Sequence, residues 1–100
     1  MIYRVRTISL VPEKAGAVRD VATRAASYVN THYSEISVEV LENVTGPLRV
    51  IHMVTCCPSL AALESYEEMR KSDQGWLDLV AEVDGIGGTS AVEDHLYRTI

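Results

Sequence analysis

The sequence has no cluster of lysines and arginines. Nine basic residues stand against fourteen acidic ones, a net charge of −5. Such a chain repels phosphate backbones, so nucleic acid is not an expected partner. Long apolar runs are also missing. The longest stretch without a charged residue, Val50 to Leu63, carries His52, Pro58 and Ser59. It is too short and too polar to cross a bilayer, and no membrane association is expected. The first residues, Met1-Ile2-Tyr3-Arg4, read at once as alternating strand rather than as a leader. A soluble, cytoplasmic protein is the expectation.

Cysteine is scarce: Cys56 and Cys57 are the only two, and they are adjacent. Neighbouring strand side chains point to opposite faces, so the pair is expected to remain as free thiols. No metal-ligand spacing is present. Four strand residues separate His52 from Cys56 by about 13 Å, whereas ligands of one zinc ion each lie about 2 Å from it. His32 and His95 have no cysteine close in sequence. Neither a metal nor a cofactor is expected. Gly85-Ile86-Gly87-Gly88 follows a helical stretch and precedes a strand, the reverse of a phosphate loop, and reads as a helix stop. Glu64, Glu67 and Glu68 read as a solvated helix face. No Ser/His/Asp or Cys/His signature of nucleophilic catalysis stands out.

What the chain does have is a regular succession of strand and helix patterns. One hundred residues, 47% of them hydrophobic, make one globular domain covering 1–100. The first strand runs from Ile2 to Val11, and Pro12 ends it. From Glu13 to Asn30 the spacing of Val18, Val21, Ala22, Ala25, Tyr28 and Val29 predicts a helix with one apolar stripe. Ile36 to Val44 reads as a second strand, Thr45-Gly46-Pro47 as a turn, and Leu48 to Cys56 as a third strand. Ser59 caps a helix carrying Leu60, Leu63, Tyr66 or Glu67, and Met69 at helical spacing. Asp73 caps a short further helix with Trp76, Leu77, Val80 and Val83 as core or interface. Ser90 to Thr99 is the last strand, with Val92, Leu96 and Tyr97 as its apolar content. The order βαββαβ predicts an α+β ferredoxin-like subunit, helices on one face of a four-stranded antiparallel sheet.

The third strand is apolar on both faces, with Leu48, Val50 and Val54 on one and Ile51 and Met53 on the other. One helix layer covers only one of them, so a second copy of the chain is expected on the other, in a homodimer. A charge at Met53 or Ile51 is expected to weaken that association. Arg4 and Arg6 share a face with Ile8 and Leu10. If Tyr3, Val5, Thr7 and Val11 face the helices, both guanidiniums point away from them, toward the paired sheets. There they could hold a carboxylate or phenolate, or form ion pairs with Glu93, Asp94 or Glu39. His52, flanked by Val50 and Val54, is either a general base in a pocket or a core or interface histidine with satisfied hydrogen bonds.

The run Ile2-Tyr3-Arg4 to Val11-Pro12-Glu13-Lys14 resembles the opening of NIPSNAP-type domains, with Glu13 in place of their glycine. Val50-Ile51-His52-Met53 leading into Ser59-Leu60, a helix, Ser72-Asp73 and Trp76 is similar as well, so the likeness covers about half the chain. The resemblance implies a dimeric α/β barrel around a pocket, and no particular reaction. The wider superfamily includes haem-degrading oxygenases, but Arg6, Met69 and Leu79 stand where that branch has Asn, Trp and His, so haem is not implied. Three functions follow. The first is a dimer binding a small apolar or aromatic ligand, its pocket lined by Arg4, Arg6, Ile8, His52, Met53 and Trp76. The second is a cofactor-independent monooxygenase or isomerase on an aromatic or polyketide-like substrate, with His52 taking a proton and Arg6 stabilising the oxyanion. The third is a structural interaction module with a filled interior.

Overall fold

The computed structural model describes residues 1–100. A run rich in β-branched residues, Ile2, Val5, Thr7 and Ile8, forms β1 (Ile2–Leu10). Pro12, without an N–H to extend the ladder, stops it and opens a single 3-10 turn, Pro12–Lys14. The helix expected from Glu13 therefore begins later, as α1 (Ala15–His32), and runs past Asn30. Asn30 ties the helix to the sheet. Its side chain accepts from the Val38 N–H at 2.8 Å and donates to the Val38 carbonyl at 2.9 Å, pinning β2 (Ser37–Glu42) to the helix.

β3 (Val50–Cys57) follows, and then α2 (Leu60–Arg70), whose cap Ser59 accepts from the Ala62 N–H at 3.1 Å. The further helix capped by Asp73 is α3 (Gln74–Ile86), the third member of the helix layer. It passes through Gly85 and ends at Gly87, whose φ of 64° is the left-handed conformation that closes helices. β4 (Thr89–Arg98) completes the chain.

Asp73 does more than cap. Besides the Trp76 N–H it accepts hydrogen bonds from the hydroxyls of Tyr28, at 2.6 Å, and Tyr33. Those two hydroxyls hold its carboxyl below the usual aspartate range; the bond to Asp73 pushes the Tyr28 phenol up, and burial first, then the bond, pushes up that of Tyr33. A Cβ at Gly75 would run into the Tyr28 ring, so the closeness of α1 to the start of α3 depends on that glycine.

The antiparallel sheet has the order β2-β3-β1-β4. With all helices on one side it makes a slab of 37 × 34 × 19 Å. Two layers and 18 buried residues of 100 are a small core, and the second sheet face is bare. The core itself is split. One cluster gathers around Tyr66, Val29 and Cys57, and another around Ile51, Val18 and Leu10, with the half-buried Met53 packed against both. β4 is an edge strand exposed along its whole length, so Val92, Leu96 and Tyr97 do not enter either cluster. Cys56 is half-buried and Cys57 buried, both as free thiols, and burial pushes the Cys57 thiol up.

The arrangement reverses the expected faces of the central strands. Ile2, Arg4, Ile8 and Leu10 are buried under the helices, and Arg6 lies on the same face. On β3 it is Ile51, Met53, Thr55 and Cys57 that face the helices, leaving Val50, His52, Val54 and Cys56 on the bare side. Ile51 and Met53 are thus core and inner-face residues, not part of an association surface. The reason is that α1 presents valines and alanines to the even-numbered residues of β1, while the uncharged set Tyr3, Val5 and Thr7 is left outside.

Candidate functional site

Between the sheet and the helices lies a cavity of about 280 Å³. Its floor is Arg6 and Ile8 of β1, Met53 of β3 and Val92 of β4. Val18, Val21, Ala22 and Ala25 of α1 form one wall. None of them is bulky, and the chain has no phenylalanine to fill the gap. Trp76, Leu79, Val80 and Val83 of α3 form the other wall. The Trp76–Val83 stripe, core or interface in the sequence, packs Trp76 and Val83 against the two core clusters but has no fully buried residue, because it also borders the cavity.

Arg6 lies opposite Asp94 in the β1–β4 register, and the two form a bidentate pair, Nε to Oδ1 and Nη2 to Oδ2, both at 2.8 Å. That pairing keeps Asp94 below the ordinary carboxylate range and raises Arg6 further. Of the ion-pair partners open to Arg6 in the sequence, the structure selects Asp94, within the same chain. Arg4, 8% exposed, donates from Nη1 to Glu67 at 2.6 Å. Glu67 is thus an ion-pair partner at the edge of the helix layer rather than a free surface charge, though half exposed.

A smaller recess of about 20 Å³ adjoins the cavity, and both are lined by Arg6, Met53 and Trp76. Arg4, Thr55, Tyr66 and Arg70 supply the rest of its polar lining. Arg70 was not singled out by the sequence, although its spacing of four from Tyr66 places both on one face of α2. Its guanidinium lies 4.2 Å from the Tyr66 ring centre and 4.5 Å from that of Trp76. Burial, the largest influence, lowers the Arg70 pKa, and burial likewise raises the Tyr66 phenol.

The structure therefore brings together Arg4, Arg6, Ile8, Met53 and Trp76, and separates His52 from them. His52 lies on the bare face, through the sheet from Arg6. Asn43 donates to the Pro47 carbonyl at 2.6 Å, which turns its carbonyl oxygen to His52 Nε2 at 2.8 Å. Nε2 must then carry the proton, and Nδ1 accepts from the Thr7 hydroxyl at 3.0 Å. Both ring nitrogens are satisfied, which is the structural alternative the sequence left open. The pairing of His52 as base with Arg6 as oxyanion donor fails because adjacent strand positions alternate faces: Thr7, not Arg6, is beside His52 in the register.

No protein-family model matches the chain, and no curated protein sequence matches it. Solved structures do. An uncharacterised NIPSNAP domain protein from Burkholderia xenovorans superposes with a TM-score of 0.83 at 12% identity, over 100% of this chain and 95% of that one. A structure described as an antibiotic biosynthesis monooxygenase matches with a TM-score of 0.75 at 12% identity, over 100% and 99%. A dimeric protein of unknown function and ferredoxin-like fold from Bacteroides fragilis matches with a TM-score of 0.73 at 12% identity, over 98% and 95%. At this identity the likeness is one of fold, and it is the ferredoxin-like fold that the sequence pattern predicts.

Proposed function

We propose that the chain is a homodimeric ligand-binding protein that holds a small apolar or aromatic molecule between its sheet and its helices. The observation that carries this reading is the 280 Å³ cavity, apolar apart from a few groups such as Arg6 and Asp84. Such a space sits poorly with a structural module whose interior is filled. The bare sheet face supports the dimer, since Tyr3, Val5, Val50, Val54 and Cys56 would otherwise meet water. The Bacteroides fragilis relative, described as dimeric, has the same fold.

Titration with the neutral apolar fluorophore N-phenyl-1-naphthylamine tests the reading. Saturable binding in the wild type, lost in Ala22→Leu with the melting temperature held, is expected because the added side chain occupies the space. Binding that persists in Ala22→Leu would place the ligand elsewhere.

A cofactor-independent monooxygenase or isomerase in the same cavity is the second reading, favoured by the description of one structural relative. In it Arg6 would face the developing oxyanion, and the proton would go to Asp84, the carboxylate of the lining that no ion pair occupies. Oxygen uptake in the presence of a polycyclic phenol, lost in Asp84→Asn, is its test.

A further inference from the structure

Three guanidiniums, those of Arg4, Arg6 and Arg70, line one small recess. Two carboxylates answer them. Glu67 is bound to Arg4 and Asp94 to Arg6, and these carboxylate side chains are 46% and 40% exposed. No carboxylate pairs with Arg70. Its stacking on Tyr66 and Trp76 satisfies the face of the guanidinium, but the N–H donors lie in the plane and are untouched by it. Arg70 Nε is buried without a hydrogen-bond partner, and so is Arg4 Nε. Buried donors without acceptors are costly, and both of these arginines line the one recess, which offers Arg70 no carboxylate. The recess admits a group of about the size of one water. It adjoins the apolar cavity through shared residues, so one molecule could occupy both.

We propose that this recess, with Arg70 as its unpaired cation and Arg4 and Arg6 beside it, binds the carboxylate head of a ligand whose apolar body fills the cavity. The inference rests on the ligand-binding reading above and adds the charge of the ligand to it. One local excess positive charge calls for a monoanion. A carboxylate oxygen fits a water-sized space, and a fully ionised phosphate carries more negative charge than the one excess positive charge balances. The burial of Tyr66, 1% exposed, keeps bulk water from this wall and strengthens the attraction.

Trp76 is the only tryptophan and lines both spaces, so its fluorescence reports on occupancy of either. The test compares 2-naphthoate with its neutral isostere 2-naphthamide on the wild-type protein, by Trp76 quenching and by calorimetry. The expected result is that the carboxylate binds about ten-fold or more tightly than the amide, as a charge-assisted hydrogen bond provides. That advantage should shrink with added salt, vanish in Arg70→Met and survive in part in Arg70→Lys. Equal binding of the two probes to the wild type overturns the subsite and leaves the cavity reading standing. Equal loss of both probes in a folded Arg70→Met also overturns it, since Arg70 would then be supporting the cavity wall. Binding of neither probe overturns the cavity reading and this inference with it.

Discussion

Ile51 and Val54 lie three residues apart on β3 and face opposite ways, so a pair of substitutions tests which side of the sheet is covered. Ile51 is 1% exposed beneath α1. Ile51→Ala removes about three carbon groups at ~0.8 kcal/mol each, near 2.4 kcal/mol of transfer free energy. The cavity left behind raises the loss to about 3–4 kcal/mol. With an unfolding entropy of about 2.1 cal/mol/K per residue, a chain of this length loses about 5 °C per kcal/mol. The expected drop in melting temperature is therefore about 15–20 °C, with the dimer retained. Val54→Asp places a charge on the bare face instead. It should reduce the mass from twice the 11.0 kDa chain to that of a single chain. Melts at fixed protein concentration and light scattering at micromolar concentration read the two effects separately. A fall of less than about 5 °C for Ile51→Ala, or a Val54→Asp protein that stays dimeric, would refute the assignment of faces.

His52→Ala should loosen the dimer and leave N-phenyl-1-naphthylamine binding unchanged, because its hydrogen bonds to Thr7 and Asn43 lie on the bare face; lost binding in an intact dimer would return His52 to the pocket. Asn30→Ala removes both bonds to Val38 and should cost about 2 kcal/mol in chemical denaturation, since the bonds are part-buried and the Val38 N–H and carbonyl lose their partner. Asp73 and Asp94 are held below the unfolded aspartate value of about 3.9. Their contribution is complete above that pH and is lost as pH falls through the folded-state values, so the melting temperature should decline on the acid side, less steeply in Asp73→Asn. Gly75→Ala should lower stability by displacing Tyr28 from Asp73, and a double variant with Tyr28→Ala should show less than the sum of the two losses.

The order of elements was legible because it is written in local periodicity. Period-two stretches gave the four strands, the 3.6 period gave α1, and Ser59 and Asp73 marked helix starts by side-chain oxygens that reach their own backbone. Periodicity also grouped residues correctly: Arg4, Arg6 and Ile8 do share a face, and His52 does lie with Val50 and Val54. It carries no information on which face a helix will cover. On β1 both sets mix apolar and polar residues, so only the docking of α1 decided that the arginines go inward and His52 outward. The pairing of Arg6 with Asp94 joins residues 88 apart and needed the β1–β4 register to choose Asp94 over its neighbours. Arg70 became visible only when the corner between α2 and α3 brought Trp76 over it. The cavity itself is a volume left between surfaces, set by how far the sheet and two helices stand apart. No single residue encodes that distance, and for that reason the sequence alone specified the fold and left the site to the tertiary structure.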